Sequence, residues 1–176
     1  MSDVPAHEDA PAPFSVAVLT ELTRRGLTVA VAESLTGGLV TAEMTRPPGA
    51  SSVVVGGVIA YQTPLKAELL HVDDALLEAE GPVHPEVAKQ MARGVRRMLA
   101  VDGREADVGL ATTGVAGPDP QEDKAPGTVF IAVSFEDGER VRELSLSGSR
   151  DAIRAHTVSE VMGLLAEVIG VPRLPA

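Results

Sequence analysis

Three side chains of this 176-residue sequence could together perform nucleophilic catalysis. Ser34 lies in "VAVAESLTGGLVTA", where an apolar run ends and a glycine turn begins. A hydroxyl between a strand and a helix sits near unpaired amides that favour a developing oxyanion or a phosphate. Serine is also a preferred helix N-cap, so Ser34 has two readings, nucleophile or cap. The stretch is neither a G-x-S-x-G elbow nor a Walker loop. Lys66 follows Thr63-Pro64 at the start of an expected helix. The helix dipole and partial burial would both disfavour its charged form. Such a lysine could act as general base toward Ser34, directly or through the hydroxyl of Tyr61, the chain's only tyrosine. Taken singly, a surface lysine and a half-buried tyrosine are the ordinary readings.

A second glycine turn, "TTGVAGP" at 112–118, could cradle a phosphate with backbone amides. Arg150 and Arg154, one turn apart, could clamp it; solvated helix arginines are the commoner case. His84 precedes Pro85 as a helix-start residue.

These positions need a scaffold. Phe14, Val18 and Leu22 form a helical stripe before Arg24, Arg25 and Gly26. "LTVAVAE" is a short buried strand, and "TGGLVTAEMTR" a helix entered through the glycines and stopped by Pro47-Pro48-Gly49. "SVVVGGVIAY" is a strand that Gly56 and Gly57 disturb, at a bulge or a helix-to-strand join. "TPLKAELL" and "DDALLEAE" are short helices. A longer one from Pro85 buries Val87, Met91, Val95 and Met98 or Leu99. "DVGLATTG" is a strand, "TVFIAVSF" and "ERVRELSL" form a hairpin, and a helix from about Ser149 closes the chain. Alternating strands and helices predict a layered α/β domain with a largely parallel sheet and an antiparallel portion. Ligands bind such sheets at the carboxyl ends of the strands. Both glycine turns and Tyr61 fall at that edge.

Composition excludes other classes. Hydrophobic content of 44% predicts a globular core, within one domain at 13–170. Residues 1–12 read as a disordered tail, not a secretory signal, and 171–176 as a frayed end. No apolar run reaches the roughly 20 residues of a membrane helix. A net charge of −10, three Phe and no Trp argue against a nucleic-acid partner. Without Cys, thiolate chemistry and disulfides are excluded, and the four His lack ligand spacing. The expectation is a cytoplasmic chain with no metal, no cofactor and no membrane partner.

Together, "VAVAESLTGG", "GGVIAYQTPLK", "TTGVAGP" before "PGTVFIAV", and "GSRDAIR" resemble the CinA C-terminal domain family. No single block is specific; their order and spacing are. The resemblance covers roughly residues 13–170. It implies a three-layer α/β/α sandwich, a homo-oligomer and no metal. It also implies hydrolysis of nicotinamide mononucleotide to nicotinic acid mononucleotide and ammonia, in pyridine-nucleotide recycling. The family's serine falls on Ser34, and its tyrosine and lysine on Tyr61 and Lys66. Its T-G-x-A-G-P turn falls on Thr113 to Pro118. On this reading Thr36, Gly37 and Gly38 hold the oxyanion, and Thr113, Gly114, Ala116, Gly117 and Arg150 hold the phosphate. Either Lys66 or Tyr61 is the immediate base. The family usually has Cys where this chain has Leu35, and often Ser where it has His84. Only the deamidase half of the longer CinA proteins is expected. The alternative is a nucleotide-binding regulatory module with the same fold and no turnover.

Overall fold

The computed structural model describes residues 13–172. The expected tail at 1–12 and residues 173–176 of the expected frayed end lie outside them. The elements are α1 (Pro13–Arg25), β1 (Val29–Glu33), α2 (Leu39–Thr45), β2 (Val54–Ile59), α3 (Thr63–Leu70) and α4 (Asp74–Glu80). Then follow α5 (Pro85–Met98), β3 (Val108–Gly114), β4 (Thr128–Phe135), β5 (Gly138–Ser145) and α6 (Arg150–Ile169). One mixed sheet has the order β2-β1-β3-β4-β5. β1 runs parallel to β2 and β3, while β4 runs antiparallel to β3 and β5. Parallel and antiparallel pairings thus divide evenly, because β3 returns to β4 through a loop and not a helix.

The central strands alternate by size, with apolar residues on both faces. Val29, Val31, Leu110 and Ile131 face a core shared with α1, α2 and α6. Ala30, Ala32, Ala111 and Ala132 face the opposite core, under α5. Period-two alternation therefore separates two apolar layers and yields the three-layer sandwich. Small residues let α5 ride close. A side chain on Gly109 would begin 1.9 Å from the Ala92 carbonyl oxygen, and one on Gly94 would begin 1.9 Å from that of Leu70. The Gly94 contact seats the end of α3 against α5, and α3 carries Lys66. Leu99, not the exposed Met98, continues the buried face of α5.

The double glycine does mark an irregularity. The β1 register steps from Val54 opposite Val29 to Gly56 opposite Ala30, leaving Val55 unpaired. Because β1, β2 and β3 are parallel, Glu33, Ile59 and Gly114 end at one edge. The segments just beyond them meet there. No helix among the described residues is long and apolar enough to cross a membrane.

Candidate active site

Ser34 is the first residue past β1. Its amide donates to the Thr112 carbonyl at 3.0 Å, prolonging the β1–β3 ladder by one bond. The helix does not start there. α2 begins at Leu39 behind Gly38, which is left-handed at φ 101° and offers no side-chain cap. Ser34 is therefore not an N-cap. Glu33 serves the helix end from one residue earlier. Its carboxylate is wholly buried and accepts from the amides of Gly38 at 2.9 Å, Val40 at 3.1 Å and Thr41 at 2.8 Å. The Thr41 hydroxyl adds a fourth bond at 2.7 Å. The chain's own anion thus fills the helix N-terminus, and the Ser34 hydroxyl is left for other partners.

That partner is Lys66. Pro64 pre-sets the first turn of α3, and Lys66 follows within it. The side chain is 1% exposed, the largest wholly buried in the described residues. Its Nζ donates to the Ala60 carbonyl at 2.8 Å and to Ser34 Oγ at 3.3 Å. No carboxylate pairs with it among the described residues. Burial without a counter-ion pushes the ammonium down to about 8. Near neutrality a usable fraction is then the free amine, whose lone pair can accept a proton from Ser34 Oγ.

Ser34 and Lys66 open onto a cleft of about 300 Å³. Tyr61, Thr113, Gly114, Ala116, Gly117 and Arg150 also line it. Arg150 begins α6 behind the Ser149 cap. It donates to the Gly117 carbonyl at 2.7 Å and to the Tyr61 hydroxyl at 2.9 Å. Tyr61 is half exposed and is bonded to Arg150, not to Ser34 or Lys66. The direct lysine route is the one the geometry joins. The Thr113 hydroxyl donates to the Pro82 carbonyl at 2.7 Å and ties the turn to the α4–α5 loop. Gly117, at φ 80°, has Pro126 Cβ 3.0 Å from where a side chain would begin. Only glycine suits that turn.

Three expected site residues lie elsewhere. Thr36, Gly37 and Gly38 do not line the cleft. The Thr36 hydroxyl pairs with that of Thr112 at 2.8 Å, the Gly37 amide with the Ser34 carbonyl, and the Gly38 amide with Glu33. Leu35, Ala116 and Gly117 line the cleft, and their amides make no hydrogen bond among the described residues. Arg154 forms no clamp with Arg150. It donates to the carbonyls of Leu35 and Thr36, both at 3.0 Å, and braces the turn from behind. The reading of residues missed Glu33, and also the cleft walls Pro82, Val83, Asp119 and Gln121. The two departures from the family pattern are absorbed. The Leu35 side chain packs into the core, and His84 caps α5 by accepting the Glu86 amide through Nδ1 at 3.2 Å.

The profile of the CinA C-terminal domain family matches residues 12–169. A CinA-like protein of Frankia casuarinae is 46% identical over 88% of this chain, which covers 35% of that protein. The chain spans about a third of the length of such relatives. Among solved structures, a CinA superfamily protein of Klebsiella pneumoniae superposes with TM-score 0.83 at 26% identity, covering 89% of this chain and 96% of that one. A competence/damage inducible protein of Agrobacterium tumefaciens gives 0.78 at 30% identity, covering 91% and 94%. The motif order, the fold and these matches agree, and the chain belongs to the CinA C-terminal domain family.

Proposed function

We propose that this chain is an amidohydrolase that converts nicotinamide mononucleotide to nicotinic acid mononucleotide and ammonia, with Ser34 as nucleophile and Lys66 as base. The observation that carries the reading is the contact of a wholly buried, counter-ion-free lysine with Ser34 Oγ at 3.3 Å in an open cleft. Neutral Lys66 takes the Ser34 proton as Oγ adds to the carboxamide carbon. The Leu35 amide, next to the nucleophile and without a partner, receives the oxyanion. Protonated Lys66 passes its proton to the amide nitrogen, the C–N bond breaks and ammonia leaves. The amine then deprotonates a water, which cleaves the acyl ester and restores Ser34. Tyr61 positions Arg150, and both face the cleft. Arg150 and the amides of Ala116 and Gly117 suit a phosphate. Pro82 and Val83 offer an apolar wall to the pyridine ring.

A coupled ammonia assay tests this. Nicotinamide mononucleotide should turn over far faster than nicotinamide, and EDTA should leave the rate unchanged. Binding of the mononucleotide without ammonia release would leave a nucleotide-binding module.

A further inference from the structure

We infer that Glu33, Thr41 and Gly57 form a buttress across two strands that sets the position of Ser34, which makes Glu33 and Thr41 positioning residues for the proposed reaction. The inference rests on the reading of Ser34 as nucleophile.

Glu33 directly precedes Ser34, yet its side chain reaches forward to residues 38, 40 and 41. An ordinary N-cap uses a short side chain beside the first turn. Here four residues intervene between strand and cap, and only a longer carboxylate on the strand end spans them. The loop 34–37 is thereby closed at both ends. Inside it, the Ser34 carbonyl accepts from Gly37 at 3.1 Å, and Arg154 holds the next two carbonyls. The Ser34 hydroxyl is the group this bracing aims at the cleft.

Thr41 is the far anchor, and Gly57 makes room for it. Gly57 pairs with Val31 of β1 and has no left-handed backbone. Its need is space. A Cβ there would lie 2.1 Å from Thr41 Oγ1 and 3.0 Å from both Thr41 Cβ and Cγ2. Any side chain would drive Thr41 off the Glu33 carboxylate. Gly56, one residue earlier, is different. Its Cβ would meet only Leu99 Cδ1 at 3.5 Å, an ordinary contact. The double glycine therefore divides into one residue the buttress requires and one it does not.

Glu33→Gln keeps the shape but turns one acceptor oxygen into a donor. Each oxygen now receives at least one backbone amide, so either flip sets N–H against N–H. A nucleophile misplaced by about 1 Å can lose on the order of 100-fold in rate.

The experiment compares Glu33→Gln, Thr41→Val, Thr41→Ser, Gly57→Ala and Gly56→Ala in the full chain. The readouts are kcat and KM for nicotinamide mononucleotide, the rate of Ser34 labelling by a small fluorophosphonate, and the Tm. Glu33→Gln and Gly57→Ala should lower kcat roughly 10- to 100-fold, with KM changed no more than about twofold. Ser34 labelling should slow in parallel. Thr41→Ser should regain most of what Thr41→Val loses, and Gly56→Ala should match wild type. In a Thr41→Ala background, Gly57→Ala should add little, because both act through one side chain. If Glu33→Gln does not fold, the Gly57→Ala and Gly56→Ala pair still decides. Equal kcat for those two, or unchanged kcat and labelling in folded Glu33→Gln, overturns the buttress while an inactive Ser34→Ala keeps the nucleophile. Turnover retained in Ser34→Ala removes the nucleophile, and the buttress falls with it.

Discussion

Glu33 and Lys66 carry the two wholly buried charged side chains at this sheet edge, at 0% and 1% exposure, and their surroundings are opposite. Glu33 has four donors shared between two oxygens. Lys66 has one carbonyl, one serine hydroxyl and no counter-ion. Four donors fix a carboxylate and its neighbours in one geometry. An ammonium with so few acceptors, and no acid beside it, is held in a state it readily leaves by losing a proton. The first charge is architecture, and the second is available for proton transfer. Two residues buried to the same degree thus support different roles because their partners differ.

The sharpest way to break this contrast is to remove the reacting pair. Ser34→Ala and Lys66→Met should each lower kcat by about 10³-fold or more, and the double variant should lose little beyond either. Ser34 caps no helix, so the stability that Ser34→Ala can lose is its 3.3 Å contact with Lys66, about 1 kcal/mol or a few degrees of Tm, while the fall in kcat is far larger. A folded Ser34→Ala with a tenth or so of wild-type turnover would return Ser34 to the backbone turn.

The pH profile gives the next largest effect. The base works as the free amine, so kcat/KM should rise roughly tenfold per pH unit below about 8 and level off above it. A profile flat from about pH 6 upward would show that no group titrating near 8 limits the reaction, and would remove Lys66 as the base. Arg150→Ala should come third. It should lower kcat/KM for the mononucleotide roughly 10- to 100-fold, as expected for a charged hydrogen bond, and much less for the unphosphorylated riboside. Tyr61→Phe removes only the hydroxyl that Arg150 holds. It should cost less than Arg150→Ala, whereas an effect equal to Lys66→Met would make Tyr61 the relay.

Much of this site was legible because its parts are local. Strands alternating with helices along the chain pointed to the layers, and parallel strands bring their carboxyl ends together whatever the loops do. Ser34, Tyr61, Lys66, the 113–117 turn and Arg150 accordingly all reach one cleft. The misplaced part was the oxyanion turn. With the helix taken to start at the glycines, the amides of Thr36 to Gly38 count as free. With the start at Leu39, three residues later, two of those amides are bonded and Glu33 becomes the cap. An acid at a strand end ordinarily reads as solvated. Only the path of the loop turns it inward. Gly57 was legible as an irregularity, but its purpose depends on Thr41, sixteen positions earlier, and that contact is tertiary. Pro82, Val83, Asp119 and Gln121 arrive from loops whose course no local pattern fixes.

The smallest effect concerns stability, and it tests the Lys66 half of the contrast without any substrate. The folded chain releases the Lys66 proton at about 8, and an ordinary lysine near 10.5. Between these values the unfolded chain holds a proton that the folded chain has lost, so stability rises with pH across that window. Below about 8 both states are protonated, and the folded state bears the full penalty of a buried ammonium, on the order of 3 kcal/mol. Lys66→Met removes that penalty but leaves the Ala60 carbonyl without its donor, a loss of about 1–3 kcal/mol. Near pH 7 the two terms offset, and the variant should melt within a few degrees of wild type. Near pH 10 wild type has shed most of the penalty, while the variant still lacks the donor. The variant should then melt lower. The Tm of Lys66→Met relative to wild type should therefore fall as pH rises, by several degrees in total for a chain of this size. Glu33→Gln has no lysine titration to remove, so its Tm deficit should stay constant over the same range. A Lys66→Met difference that is equally constant would show that the amine is no less at ease in its burial than the carboxylate, and the contrast between the two charges would be lost.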